Sequence, residues 1–156
     1  MKDDLDRLMA LMNTAFDPVF QEAWTRRQVE DALTTGNTRY FLISENGKAL
    51  QFREDPDAAK NAGFYLSRQI LTDTELLLVA VDPAFRGRGL GFLLLEHLVM
   101  TAKANGSDRI FLEMRRDNPA EKLYRRFGFA PVGERPNYYR TLDGQRLDAI
   151  TFAISI

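Results

Sequence analysis

The sequence predicts an α/β (α+β) domain in which helices flank a central mixed β-sheet. Segments with the 3.6-residue period of helices alternate with strand-like segments along the chain. One strand-like segment, residues 75–81 (ELLLVAV), is continuously apolar, which is typical of a central strand covered on both faces. No internal repeat or linker interrupts the 156 residues, and 45% of them are hydrophobic, so we expect one domain over residues 1–156 with a sizeable core.

The first third of the chain is predicted to contain two helices and a β-hairpin. Apolar side chains recur at helical spacing within residues 5–16 and again within residues 25–33, so two amphipathic helices open the chain. Residues 39–48 (RYFLISENGK) have a strand composition and end in an Asn-Gly turn, with residues 48–52 (KALQF) as a candidate hairpin partner. The polar residues 53–63 are predicted to form a loop.

The remaining chain is predicted to alternate strands with helices and to close with a hairpin. The strands are residues 64–71, 75–81, 109–114, 129–134 and 147–156, and the helices are residues 89–104 and 119–127. Asn118 and Pro119 form a typical helix start, because a capping side chain is followed by proline at the first helical position. Gly128 marks the C-terminal end of that helix.

Residues 79–98 (VAVDPAFRGRGLGFLLLEHL) run from a strand through a glycine-rich turn into a leucine-rich helix. Such a turn directs unpaired N–H groups and the positive end of the helix toward one point, which suits a phosphate group. Arg86 and Arg88 add fixed positive charge that pairs well with phosphate oxygens. The stretch therefore predicts a phosphate-binding turn, and the alternative is a surface turn with two solvent-exposed arginines.

The spacing of the glycines excludes two common nucleotide-binding motifs. No GxxxxGK[ST] sequence is present, which argues against a nucleoside triphosphate. Gly87, Gly89 and Gly91 form G-x-G-x-G, and Phe92 stands where the dinucleotide fingerprint requires its third glycine. The predicted phosphate group therefore belongs to another kind of ligand.

Composition and charge narrow the function classes further. The net charge of −1 and the pI near 5.9 give no overall attraction to nucleic acid or to an anionic membrane, so we expect neither as a partner. The absence of cysteine excludes disulfides, thiolate zinc sites and an acyl-cysteine intermediate. The single His97 excludes a histidine-rich metal site, so we expect no metal. With no signal-peptide core and no apolar run of membrane-spanning length, we expect a cytoplasmic protein.

The pattern R-x-x-G-x-G, formed by Arg86, Gly89 and Gly91 after the sequence VAVDP, resembles the acetyl-coenzyme A pyrophosphate loop of the GNAT (GCN5-related) N-acetyltransferases. The later sequences LEMRRDNPAEKLYRRFGF and ERPNYYRTLDGQRLDAITFAI are similar to one group of that superfamily, the ribosomal-protein-alanine N-acetyltransferases (RimI group). The resemblance extends from about residue 64 to the end of the chain. It implies the GNAT fold, with a mixed, mostly antiparallel sheet.

The resemblance also implies an activity and partners. GNAT members transfer an acetyl group from acetyl-CoA to a primary amine, and in this group the acceptor is the N-terminal α-amine of a protein, with small-subunit ribosomal proteins as the known target class. Because the chain has no cysteine, direct transfer in a ternary complex is favoured over a covalent intermediate. The alternatives are a small-molecule amine or a lysine side chain as acceptor, or a non-catalytic acyl-CoA-binding module. The chain is expected to be a monomer or a homodimer.

Individual residues match functional positions of the family. Glu113 matches the proton acceptor, Tyr124 the proton donor to the departing thiolate, and Asn118 a coenzyme-contacting asparagine. Residues 135–139 (RPNYY) match a region near the peptide end of the site. The residues that match the strand along the pantetheine arm and the pyrophosphate loop are Val79, Ala80, Val81, Arg86, Gly87, Arg88, Gly89, Leu90, Gly91 and Phe92.

The chain departs from the family pattern at several places. The stretch from Asn118 to Tyr124 is one residue shorter than the usual N-x-x-A-x-x-L-Y, which affects the position of the predicted proton donor. The first predicted element is a helix, where most members have a strand. Residues 52–61 (FREDPDAAKN) resemble an insertion between strands, and Phe92 stands where a polar or basic residue is common.

Glu113 also has a purely structural interpretation. In the strand 109–114 it is a carboxylate among apolar neighbours. Such a group is costly unless it is used in chemistry or is paired, and the nearby candidates for an ion pair are Arg109, Arg115 and Arg116.

Other singled-out residues have structural alternatives of their own. Asn118 could serve only as a helix cap, and Tyr124, which shares a helix face with Phe127, could be a packed core residue. Trp24 could line a substrate cleft or anchor the opening helices. His97 is expected at the helix surface or the edge of the core, without a chemical role.

Overall fold

Helices cover both faces of a six-stranded sheet in the computed structural model, which describes residues 3–50 and 60–156. The helices are α1 Asp4–Ala15, α2 Arg26–Thr34, α3 Leu90–Ala104 and α4 Glu121–Phe127, and two short 3-10 helices span Pro18–Phe20 and Pro83–Phe85. The strands are β1 Thr38–Ser44, β2 Asn61–Ile70, β3 Asp73–Val81, β4 Arg109–Arg115, β5 Ala130–Arg140 and β6 Arg146–Ser155. The strand order is β1-β2-β3-β4-β6-β5, with β3 parallel to β4 and the other neighbours antiparallel.

The structure confirms the predicted mixed α/β architecture and the order of its elements, with differences at some boundaries. Helix α4 begins at Glu121 instead of residue 119, and β5 continues to Arg140 instead of ending at residue 134. The predicted first hairpin forms a single bridge between Ile43 and Ala49. Residues 51–59, which include most of the predicted insertion and the end of the hairpin partner, lie outside the described residues.

Local hydrogen bonds determine where the two N-terminal helices begin. The Asp3 carboxylate accepts from Asp6 N at 2.8 Å, and the Asp6 carboxylate accepts in return from Asp3 N. Thr25 and Gln28 form the same reciprocal pair at the start of α2. Because these capping boxes satisfy N–H groups that lack a partner within the helix, the local sequence fixes both helix starts. The segment between the helices, residues 16–24, is positioned by tertiary contacts instead.

Each face of the sheet carries its own hydrophobic core. The core beneath α3 and α4 is built from buried side chains that include Leu94, Leu95, Leu98, Ile110, Leu112, Met114, Tyr124 and Phe152. The core beneath α1 and α2 is built from Leu8, Leu11, Met12, Val29, Leu42, Phe64, Leu66 and Ala80. Burying each large aliphatic or aromatic side chain contributes roughly 1.5–3 kcal/mol, so the two cores hold the helices to the sheet. None of the helices in the described ranges has the length and apolar character needed to cross a lipid bilayer.

Strands β3 and β4 pair over a short distance and then separate. Their register is limited to Asp73 with Arg109, Thr74 with Ile110, and Glu75 with Phe111. Beyond these pairs β3 continues along β2, and β4 continues along β6. A cleft therefore opens between residues 76–81 of β3 and residues 112–115 of β4, and we call it the β3–β4 cleft.

Strand β3 occupies the centre of the sheet and is covered on both faces, as predicted. Val79 and Val81 pack against the core beneath α3 and α4, and Leu78 and Ala80 pack against the core beneath α1 and α2. A β-bulge at Leu77, where Leu78 pairs with Leu66 and Leu76 with Ser67, accompanies the separation from β4. The cleft leaves Leu77, Leu78 and Val79 only half-buried.

Candidate active site

The C-terminal ends of β3 and β4 open into the β3–β4 cleft, and the predicted site residues lie on these ends or directly after them. Strand β3 continues into the glycine-rich turn and α3, and β4 continues through residues 116–120 into α4. Crevices outside the carboxyl ends of neighbouring parallel strands are common ligand sites in α/β proteins. The topology therefore brings the predicted coenzyme strand, the turn, Glu113, Asn118 and Tyr124 to one end of the sheet.

One edge of the β3 end faces the cleft. On its other edge, Val79, Ala80 and Val81 pair with residues 63–65 of β2. Toward the cleft, no strand in the described ranges pairs with these three residues. Backbone N–H and C=O groups that are removed from water need partners, so this edge can hydrogen-bond an extended ligand.

The glycine-rich turn has the conformation that the phosphate-site prediction requires. Gly87 and Gly89 have φ of +79° and +78°, in the left-handed region that glycine tolerates best. Gly89 precedes α3 and makes no side-chain cap, so the N–H groups of the first turn are available to a ligand. A Cβ on Gly91 would lie 2.8 Å from Leu123 Cδ2, so Gly91 also serves the packing of α3 against α4.

The two arginines of the turn differ in their contacts. The Arg86 guanidinium donates to Val81 O at 3.2 Å and to Ala15 O at 3.0 Å, so it joins the end of α1 to the end of β3. The Arg88 guanidinium lies 5.3 Å from the centroid of the Phe85 ring, and it forms no ion pair within the described ranges. Arg88 is thus the arginine whose guanidinium donates no hydrogen bond to another described residue and is available to bind an anion.

Glu113 projects from β4 on the face opposite Leu112 and Met114, and its side chain is 23% exposed. Its Oε2 atom lies 3.4 Å from Arg135 Nε. The three arginines suggested by sequence proximity bind elsewhere: Arg109 pairs with Asp73, Arg115 with Glu22, and Arg116 with Asp148 and Glu134. The three predicted partners are therefore wrong: Glu113 is ion-paired, but with Arg135, because β5 brings Arg135 next to β4 across β6.

Tyr124 is buried in the core beneath α3 and α4, where its ring centroid lies 5.8 Å from that of Phe129. Its hydroxyl donates no hydrogen bond to another side chain or backbone group that the structure describes. Burial, and secondarily the negative charge of Glu22, raise the pKa of the Tyr124 hydroxyl well above its ordinary value of 10.0. Tyr124 therefore carries its proton throughout the neutral pH range.

The predicted cap role of Asn118 is wrong, because Ala120 precedes α4 and the helix has no side-chain cap; Asn118 instead stabilises the turn before it. Its Oδ1 atom accepts from Ala120 N at 2.9 Å, and its backbone carbonyl accepts from Glu121 N at 3.0 Å. Its Nδ2 group donates to Glu22 Oε2 at 3.4 Å. Residues 118–120 thus form a turn before the helix, which is why α4 begins later than predicted.

Glu22 is a site residue that the sequence did not reveal. Its two carboxylate oxygens contact Arg115 and Asn118, and its charge acts on Tyr124 and Tyr139. The residue follows the 3-10 helix Pro18–Phe20, in a segment without a motif. Its only sequence signal is a lone carboxylate between aromatic residues, FQEAW, and that pattern is too common to identify a site.

The segment 135–139 forms an irregular wall of the site. The register of β5 against β6 shifts between Arg135 and Tyr139, and Asn137 has φ of +56°. Asp148 holds this bulge, because its Oδ1 atom accepts from Asn137 N at 2.9 Å. Tyr138 is half exposed beneath the Arg135 guanidinium. Burial, followed by the charges of Glu113 and Glu22, raises the pKa of Tyr139 to about 12.

Trp24 and His97 both pack against hydrophobic cores of the protein. Trp24 packs against the core beneath α1 and α2, and its backbone N–H donates to Met12 Sδ at 3.3 Å, so the anchoring interpretation is confirmed. His97 Nδ1 lies 2.8 Å from the Tyr65 hydroxyl, and its ring stacks on Phe41 at 3.6 Å. This places His97 at the edge of a core, as predicted.

Comparison with known proteins identifies acetyltransferases as relatives of this chain. The sequence model of the acetyltransferase (GNAT) family matches residues 5–129. The [ribosomal protein bS18]-alanine N-acetyltransferase of Escherichia coli (strain K12) is 41% identical over 117 residues, which cover 74% of this chain and 70% of that protein.

Solved structures share the fold over nearly the whole chain. The ribosomal-protein-S18-alanine N-acetyltransferase from Escherichia coli matches with a TM-score of 0.71 and 28% identity, covering 99% of this chain and 90% of that chain. Arabidopsis thaliana NAA60 in complex with a bisubstrate analogue matches with a TM-score of 0.77 and 20% identity, covering 98% and 92% of the two chains. With the family match over most of its length and a relative at 41% identity, the chain belongs to the GNAT acetyltransferase family.

Proposed function

We propose that this acetyltransferase transfers the acetyl group of acetyl-CoA to the N-terminal α-amine of a protein, and that its acceptor is a small-subunit ribosomal protein that begins with alanine. The observation that carries the proposal is the 41% identity to the bS18-alanine N-acetyltransferase of Escherichia coli, over 74% of this chain. Such an acceptor places the enzyme in the cytoplasm, where ribosomal proteins are made. We propose that residues 1–156 form one domain that acts as a monomer or a homodimer.

The donor half of the site is built from backbone groups. The open edge of β3 at Val79, Ala80 and Val81 suits the amides of the pantetheine arm, which pair as a neighbouring strand would. The N–H groups of residues 87–92, at the uncapped start of α3, suit the pyrophosphate, and Arg88 adds a positive charge beside them. Phe92 takes part through its backbone, since its ring packs edge-on against Phe127 at 5.0 Å.

The acceptor half of the site needs a group that takes a proton. An α-amine has a pKa of about 8 and is mostly protonated at neutral pH, so it must lose a proton before it attacks the thioester. Glu113 is the carboxylate beside the cleft that is placed to accept this proton, directly or through a water molecule. Its exposed partner Arg135 can turn away when the acceptor ammonium arrives.

The proposed mechanism is direct transfer in a ternary complex, which suits a chain without cysteine. The amine nitrogen attacks the carbonyl carbon of the thioester, and the carbon–sulfur bond breaks as the tetrahedral intermediate collapses. Backbone N–H groups near Val81 are placed to stabilise the oxyanion. The departing thiolate takes its proton from Tyr124, whose hydroxyl is protonated and carries no hydrogen bond to another described residue.

Mass spectrometry of a small amine panel tests the proposed acceptor. The panel contains a peptide that begins with alanine, the same peptide with a blocked N-terminus and a free lysine, and a small-molecule diamine. We expect acetylation of the alanine α-amine at a much higher kcat/KM than of the other two. Preference for lysine or for the diamine would contradict the proposed acceptor, and tight acetyl-CoA binding without any product would indicate a non-catalytic acyl-CoA-binding module.

A further inference from the structure

Glu22 contacts both the end of β4 and the middle of the turn that joins β4 to α4. Its Oε1 atom accepts from Arg115 Nε at 3.3 Å, and its Oε2 atom accepts from Asn118 Nδ2 at 3.4 Å. Arg115 is the last residue of β4, and the Asn118 side chain accepts from Ala120 N within the turn that leads into α4. One carboxylate from a distant part of the chain therefore fixes the turn relative to the end of the strand.

The pair between Glu22 and Arg115 is buried on its arginine side, while the Glu22 side chain is 20% exposed. Arg115 is 8% exposed, and its guanidinium lies 3.5 Å from the centroid of the Phe20 ring. A guanidinium at this depth needs an opposite charge and hydrogen-bond acceptors, and Glu22 supplies both. Because Phe20 and Glu22 come from the same short segment, residues 20–22 and the β4–α4 turn pack as one unit.

The clamped turn is the place where the chain is shorter than the family pattern. Asp117 has φ of +65°, Asn118 N donates to Arg115 O at 3.3 Å, and Tyr124 N donates to Ala120 O at 3.1 Å. Tyr124 is the fourth residue of α4, directly beyond this turn, so a change in the turn moves its hydroxyl. In direct transfer that hydroxyl must meet the sulfur atom.

We propose that Glu22 is a positioning residue for acetyl transfer, which fixes the β4–α4 turn through Arg115 and Asn118 and so places the Tyr124 hydroxyl against the departing sulfur. This inference rests on the proposed function. The charge of Glu22 also contributes to the raised pKa of both Tyr124 and Tyr139, so the carboxylate lies near both hydroxyl groups.

Steady-state kinetics of Glu22→Gln in two backgrounds tests the proposal. The substitution keeps the size of the side chain but removes its charge and one acceptor. With an alanine-starting peptide we expect kcat to fall by about tenfold or more, because a small misplacement of a reacting group is costly, while the acetyl-CoA Kd from calorimetry changes less than about twofold. In a Tyr124→Phe background, which has no hydroxyl to misplace, the same substitution should change kcat by less than about twofold.

Glu30→Gln is the matched control, because Glu30 is an exposed glutamate on α2 that pairs with Arg26 at 3.8 Å, and we expect its kcat to equal that of the wild type. Equal kcat losses from Glu22→Gln in both backgrounds, or a kcat equal to that of Glu30→Gln, would overturn the proposal. If Glu22→Gln does not fold, Glu22→Asp keeps the charge opposite Arg115 and undergoes the same comparison. If the wild-type enzyme does not acetylate the peptide, that result counts against the proposed acceptor and not against the role of Glu22. The variants are then compared using the amine that the wild type does acetylate.

Discussion

At the scale of single residues, the site contains two carboxylates, each paired with an arginine, and the two pairs differ in exposure. The side chain of Arg135, the partner of Glu113, is 63% exposed, whereas that of Arg115, the partner of Glu22, is 10% exposed. An exposed ion pair contributes roughly 0–1 kcal/mol, so Glu113 can exchange its partner for an acceptor ammonium. The buried pair cannot be opened at such a small cost, so Glu22 holds structure while Glu113 is free to take part in chemistry.

Glu113→Gln tests the role of Glu113 as the base separately from coenzyme binding. We expect acetyl-CoA binding close to that of the wild type and a lower turnover, with a deficit that shrinks as pH rises, because more of the acceptor amine is then already neutral. Steady-state kinetics against pH on an alanine-starting peptide measures this, and Glu96→Gln on the exposed face of α3 is the control. Wild-type rates in a folded Glu113→Gln variant would remove the base assignment.

Tyr124→Phe should lower turnover without a large effect on stability. The substitution removes only a hydroxyl that bonds to no other described residue, so the ring packing in the core is retained. We expect kcat to fall by about 10²–10⁴, as is typical when acid–base help is lost. The control is Tyr40→Phe, which removes a hydroxyl bonded to Asp4 on the surface. Unchanged turnover would transfer the proton-donor role to Tyr139, whose hydroxyl is the next candidate at the cleft.

At the scale of elements, alanine substitutions of the two arginines in the glycine-rich turn should have different effects: one on coenzyme binding and the other on the stability of the unliganded chain. Arg88→Ala should weaken the rise in melting temperature caused by acetyl-CoA, because a ligand stabilises the folded state by mass action and this arginine is the one available to an anion. Arg86→Ala should lower the melting temperature of the unliganded chain by the equivalent of about 1 kcal/mol, since its hydrogen bonds to Ala15 O and Val81 O are lost.

Thermal melting with and without acetyl-CoA distinguishes the two arginine variants. The expected pattern is a normal unliganded melting temperature with a reduced ligand effect for Arg88→Ala, and the reverse for Arg86→Ala. If both variants lose the ligand effect equally and melt like the wild type without ligand, the contacts of Arg86 with α1 and β3 would have no importance for stability.

The sequence predicts elements whose signals are local and misses contacts that depend on the assembled sheet. The glycine-rich turn, both N-terminal helices and the alternation in β4 could be predicted because caps, glycines and periodicity are local. The pairing of Glu113 with Arg135 could not be predicted, because it depends on β6 lying between β4 and β5. Glu22 was missed for the same reason, since its partners follow it by 93 and 96 residues.

At the scale of the whole molecule, the core beneath α3 contains a titratable group that links stability to pH. His97 bonds to Tyr65 and stacks on Phe41, and burial lowers its pKa below the ordinary value of 6.5. The unfolded chain therefore binds more protons than the folded chain near that pH, so the stability contributed by neutral His97 is fully present above a pH of about 6.5 and decreases as the pH falls through the lowered folded-state pKa.

Melting curves between neutral and mildly acidic pH test this link. We expect the melting temperature to decrease on acidification and the decrease to become smaller in His97→Gln, which does not titrate. An identical pH dependence in both proteins would show that other groups control acid stability. Glu30→Gln on the exposed face of α2 is a suitable control because it leaves this core intact.

The sequence predicts more of the overall fold than of the candidate active site. A central mixed sheet flanked by helices follows from the apolar pattern, but the separation of β3 from β4 does not, because the apolar run at residues 75–81 gives no sign of the bulge at Leu77. That separation creates the cleft on which both halves of the proposed reaction depend. The chemistry of this enzyme therefore depends on a feature of the assembled sheet that no single segment encodes.

The most direct test of the proposed activity is to locate the acetyl group on a natural type of acceptor. Unacetylated small-subunit ribosomal proteins are incubated with the purified enzyme and isotopically labelled acetyl-CoA, and tandem mass spectrometry then assigns the label to individual amines. We expect the label on the α-amine of an alanine-starting protein, and its loss with Glu113→Gln. Label confined to lysine side chains, or no label on any protein despite bound acetyl-CoA, would contradict N-terminal acetyl transfer.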